Sequence, residues 1–209
     1  MSSLIRLMRK TCLRAQSSAA RLLKDRRGVA ATEFAVIVPV MLVMFFGTVE
    51  FTSAIAIKRK VTTMARTISD LTSQAAVVND TDLANFFAAN NGIMTPYSST
   101  PTNTTVSELY IDPTSGAARV QWSKGAAPRA TSSPVAIPAG LISRDPTTNA
   151  ILANQYLIYG EVNYTYVPAV GYVMGKAGVV LSDVAYTRPR QSTCVFYPSA
   201  PSPANCPTL

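Results

Sequence analysis

The chain of 209 residues contains no histidine. That absence removes His-based general acid–base chemistry, Ser-His-Asp and Cys-His nucleophile systems, and most zinc sites. Charge is scarce as well. Only 14% of residues are Asp, Glu, Lys or Arg, against about 25% in an average soluble protein. With 48% apolar residues and a mean hydropathy of +0.18, disorder is excluded and membrane contact is indicated. No Gly-x-Ser-x-Gly elbow is present. The nearest approach to a phosphate loop, Gly171 to Lys176, is one residue short and has no Ser or Thr after the lysine. No pair of carboxylates is fixed by spacing, so no catalytic group, metal site or cofactor is expected. An aromatic carbohydrate-binding face built from Trp122 and the tyrosines of 156–166 is the weaker reading, because aromatics favour strands anyway.

The charge that is present is unevenly placed. Residues 1–28 hold eight basic side chains against Asp25, a balance of +7, while the remainder holds 11 basic and 10 acidic residues, a balance of +1. A nucleic-acid binder would carry its basic charge on a folded face, so no nucleic-acid partner is expected. A basic tail on one side of an apolar run is instead a topology signal that keeps that end in the cytoplasm. Three basic residues beyond the run, Lys58-Arg59-Lys60, oppose a strict count but are outnumbered.

The apolar run follows the tail. Phe34–Val49 is 16 residues without a charge, and with its flanks it fills the gap between Arg27 and Lys58, interrupted only by Glu33 and Glu50. A helix of this length spans about 24 Å, a little under the roughly 30 Å of a bilayer core before the flanks are added. A single-pass transmembrane helix over 29–57 is predicted, with Pro39 kinking it. The same run admits a cleaved secretory signal, a plain anchor, or a leader cut ahead of the apolar segment. A carboxylate at the edge of hydrocarbon is costly, so Glu33 either snorkels to the headgroups beside Arg26 or Arg27 or has a function. Glu50 lies 17 positions further on, about 25 Å along a helix, near the opposite membrane face. It is either an interfacial carboxylate or a docking group.

Further along, Val61, Met64, Ile68 and Leu71 form one apolar stripe of a continuing helix. The Asn79–Asp82 cluster caps a short second helix ending near Asn90-Asn91-Gly92. Residues 95–105 read as a polar loop. Val106–Ile111 and Ala117–Ser123 read as a hairpin around Asp112–Gly116. Lys124–Pro138 reads as a loop crossing. Tyr156–Val167 alternates cleanly, and Val179–Thr187 is a further strand. The expected fold is α+β: a long N-terminal transmembrane helix followed by an antiparallel sheet of about four strands. The expected divisions are a basic leader (1–28), the span (29–57), its helical extension with a short helix (58–92), a β domain (93–190) and a Pro-rich tail (191–209). Cys194 and Cys206 fall on the oxidising side. A bridge between them would close a loop of about a dozen residues and contribute on the order of 3 kcal/mol, with two free thiols as the alternative.

The stretch Arg26-Arg27-Gly28-Val29-Ala30-Ala31-Thr32-Glu33-Phe34 resembles a type IV prepilin site: a glycine, four residues, then Glu-Phe. With Ala35, Pro39, Gly47 and Glu50-Phe51, it resembles the TadE-like family of pseudopilins, minor pilins of the tight adherence (Flp) pilus. The resemblance implies a pilin-like fold and cleavage between Gly28 and Val29 by a membrane prepilin peptidase. It also implies docking through Glu33, Phe34 and Glu50. Partners would be other pilin subunits, the inner-membrane assembly platform and membrane lipid. The protein would be held in the bacterial inner membrane with its C-terminal domain periplasmic, or in an extracellular pilus, supporting pilus biogenesis and adhesion. The competing readings are a membrane-anchored periplasmic binding or adhesion module outside any filament and, third, a periplasmic enzyme.

Overall fold

A computed structural model describes residues 27–168 and 178–198. The leader ahead of Arg27, together with Cys12, Gly171–Lys176 and Cys206, lies outside the described residues. The chain divides into two compact units, up to Val49 and from Glu50 onward.

Helix α1 (Arg27–Ser73) contributes to both units and is continuous through Pro39. Its residues from Ile57 onward build the second unit. Ile57, Val61, Met64, Ala65 and Ile68 are buried, the i, i+3, i+4 spacing of a helix face that packs. Leu71, expected on this stripe, is only half-buried. Helix α2 (Asp80–Gly92) starts at a full capping box: the Asn79 side chain accepts from the amides of Thr81 and Asp82, and Asp82 accepts from the Asn79 amide.

The sheet has five antiparallel strands in the order β3-β2-β1-β4-β5. They are β1 (Thr102–Ile111), β2 (Ala118–Gly125), β3 (Pro134–Val135), β4 (Gln155–Tyr166) and β5 (Val179–Thr187). The expected α+β architecture is therefore observed. The additional strand is the two-residue β3, inside the proline-broken stretch that reads as a loop. The polar loop also ends earlier than expected, because Thr102–Thr105 pair with β4 across Tyr164 to Glu161. Between β1 and β2, Asp112 accepts from the Thr114 amide at 2.8 Å and the Ser115 hydroxyl at 2.6 Å, and Gly116 adopts φ +73°.

Both faces of the sheet are covered. On one, α1 packs on Val106, Ile158, Val162 and Tyr164. Gly160 makes the close approach possible, since a Cβ there would lie 2.6 Å from the Ala65 carbonyl oxygen and 2.9 Å from Ile68 Cγ2. On the other, Leu109, Ile111, Val120 and Leu157 are covered by Val135 of β3 and by Ile137, Leu141, Ile142 and Ile151 from the long β3–β4 connection. The described part of the Pro-rich tail enters the core at residues 194–196. Cys194, Val195 and Phe196 are buried, and Phe196 exchanges backbone hydrogen bonds with Ala76 and Val78.

Candidate assembly segment

The described part of the first unit is the N-terminal portion of α1, and it is exposed to its surroundings along its length. Every described side chain from Gly28 to Val49 is exposed or nearly so, with Phe34 68% exposed. An 18-residue window of this helix reaches a mean hydropathy of 2.3 with no buried residue. A helix that is apolar all round is stable only where lipid or other apolar helices surround it. The two hydroxyls in the segment are satisfied internally: Thr32 donates to the Val29 carbonyl and Thr48 to the Met44 carbonyl, each at 2.8 Å. That is how hydroxyls are accommodated without water. Glu33 is the one ionisable side chain between Gly28 and Val49, and it is exposed. Gly28 and Gly47 are not required by packing, because among the described residues a Cβ at either would touch nothing within 4 Å.

Glu50 belongs to the second unit. It is half-buried and accepts a hydrogen bond from the Tyr166 hydroxyl at the end of β4. Burial, reinforced by that carboxylate, pushes the Tyr166 phenol up to about 12. The sequence sets Glu50 near Lys58-Arg59-Lys60, but two of those cations are directed elsewhere. Lys58 pairs with Asp183 at 3.2 Å and donates to the Ser182 carbonyl. Lys60 donates to the Ile93 and Thr95 carbonyls, each at 2.8 Å. Burial raises the Asp183 carboxyl, but hydrogen bonds from Thr62, Lys58 and the Val184 amide outweigh it and hold the group below its ordinary value. These lysines fasten α1 to the sheet and its neighbouring loop, which accounts for basic residues on the far side of the apolar run.

One polar cluster was not foreseen. Glu108, 1% exposed, accepts from the Val195 amide and from Trp122 Nε1, which also donates to the Val195 carbonyl at 2.8 Å. Burial pushes its carboxyl up to about 8 despite the two donors. Cys194, next in the chain, is buried and disulfide-bonded. Among the described residues no group of three or more His, Cys, Asp or Glu side chains is placed to hold a metal ion.

A bare apolar helix running into an α+β body defines a protein suited to a single-pass membrane anchor. Residues 28–70, 43 of the 209, match the family model described as TadE-like protein, so that segment is similar to TadE-like proteins. No curated protein and no solved structure matches the chain.

Proposed function

We propose that this protein is a minor pilin of the tight adherence pilus, made as a membrane-anchored precursor and drawn into the fibre through its N-terminal helix. The observation that carries this reading is the apolar helix of residues 28–49, exposed along its length, with Glu33 as its single ionisable group. The basic leader stays in the cytoplasm, and a prepilin peptidase cuts between Gly28 and Val29. The cut leaves a cationic amine four residues, about 6 Å of helix rise, before Glu33. Opposite charges one turn apart can pair within a chain or across two chains. Leaving lipid for a bundle of helices then costs Glu33 little, because a neighbour's amine replaces the headgroups. Phe34 offers a large apolar face to that neighbour. Pro39 bends the helix to the bundle, and Glu50, held by Tyr166, marks where the body begins. Cys194 pairs with Cys206 to close the C-terminal end.

Two experiments test this. The intact mass of protein purified from its host should correspond to a chain beginning at Val29; retention of residues 1–28 rejects the processing step. Glu33→Ala should leave cleavage intact and abolish piliation, whereas normal pili in that variant would remove the docking role. An anchored module outside any filament would show neither the cut nor a piliation defect.

A further inference from the structure

Within the second unit, a group of exposed apolar residues sits at the level where the chain enters from the apolar run. Tyr166 donates to Glu50, and Val179 lies opposite Tyr166 in the β4–β5 register. Val167, Val179 and Val180 are 59%, 53% and 62% exposed, and Phe51, beside Glu50 in the chain, is 68% exposed. A nine-residue strand at the edge of a sheet ordinarily carries lysine, proline or a bulge at such positions, and this end of β5 has none.

Two contacts fix the height of that end. From Glu50 to Lys58 the helix rises about 12 Å, and from Val179 to Asp183 the strand rises about 13 Å. Glu50 is joined to Tyr166, the partner of Val179, and Lys58 is joined to Asp183. Equal rises between two pairs of contacts mean that β5 runs along α1, so distance along the strand measures distance from Glu50. Glu50 directly follows the uncharged run, so it marks the boundary of any bilayer that run crosses. The valines therefore lie at the level of Glu50. Tyr166, opposite Val179 in the register, supplies an amphipathic ring of the kind that favours headgroup depth.

We infer that the Val167–Val179–Val180 end of the β4–β5 pair rests in the headgroup–acyl boundary of a lipid bilayer, giving the body a second membrane contact besides its helix. The inference rests on the reading of the apolar run ahead of Glu50 as the membrane-crossing part of the predicted span, and the experiment separates the two. The full chain carrying Cys12→Ser receives a single added cysteine by Val180→Cys, Val184→Cys or Val43→Cys, with the unsubstituted Cys12→Ser chain setting the labelling background. Each is labelled with an environment-sensitive fluorophore and reconstituted into phosphatidylethanolamine–phosphatidylglycerol vesicles containing nitroxide lipid, placed in the headgroup or deep in the acyl chain. The Val180 label should lose most emission to the headgroup nitroxide and the Val43 label to the acyl nitroxide. The Val184 label, on the same face of β5 but about 13 Å further along, should lose little to either. A Val180 label that behaves like the Val184 label, while the Val43 label is quenched from the acyl chain, overturns the second contact and leaves the span intact. Blue-shifted emission at Val180 without lipid quenching means a protein contact, and also overturns it. An unquenched Val43 label removes the span itself, and the inference with it.

Discussion

Protonation of Glu108 should make the body more stable in mild acid than at neutral pH. The carboxyl ordinarily titrates near 4.5 and is pushed up to about 8 in the folded chain. Between those values the folded state holds a proton that the unfolded state releases. Its contribution is complete below about 4.5 and is lost as pH rises to about 8. Each pH unit inside the window is worth about 1.4 kcal/mol per proton, so moving from pH 7 to pH 5 should add about 2 to 3 kcal/mol. The chain offers an unusually clean background for this measurement, since it has no histidine. Asp80, Asp112, Asp145 and Asp183 are held below their ordinary 3.8 and lose their stabilisation only at lower pH. The assay is also built in: Trp122, the single tryptophan, is buried and donates to Glu108 at 3.0 Å. Urea unfolding of the full chain in detergent, followed by Trp122 emission from pH 5 to 8, should show the slope. Glu108→Gln, which has no proton to exchange, should flatten it. A flat profile in the unaltered chain, or an undiminished slope in the Gln variant, would refute the reasoning.

The notch at Gly160 gives a second prediction. Gly160→Ala should destabilise the body by about 1 to 3 kcal/mol through overpacking, while Gly140→Ala, where a Cβ meets nothing within 4 Å, should leave the thermal midpoint nearly unchanged. Tyr166→Phe and Glu50→Gln should be non-additive, with a coupling of about 1 kcal/mol in a double-mutant cycle read by urea unfolding; simple additivity would deny the hydrogen bond an energetic role.

Much of the fold was legible because two periodicities are clean. Val61, Met64 and Ile68 keep the helical spacing, and 156–166 alternates, with Tyr156, Ile158, Gly160, Val162 and Tyr164 all meeting the helix side of the sheet. The cover on the other side was not legible. Val135, Ile137, Leu141, Ile142 and Ile151 follow no period, and their common surface exists only after the β3–β4 connection folds back. Proline hid β3 because a two-residue edge strand needs little donor capacity. The C-terminal stretch, rich in Pro and Ser, gave no sign that Val195 and Phe196 would enter the core. Glu108 read as one of several scattered carboxylates, since its partners are an indole 14 residues away and a backbone amide 87 residues away. Of the assembly segment, Glu33 and Glu50 stood out in the sequence, because a carboxylate beside an uncharged run is conspicuous. The tyrosine that holds Glu50 did not, because nothing local to Tyr166 announces a partner 116 residues earlier.

The missing side chain at residue 160 and the phenol at 166 grip the same helix at Ala65 and Glu50, about 22 Å apart along its axis. A rod clasped at two such stations cannot piston through its mount: a slip of one turn would drive larger groups into the notch and strand the carboxylate. Traction applied between Glu50 and Ala65 must therefore haul the sheet along with it, stroke for stroke.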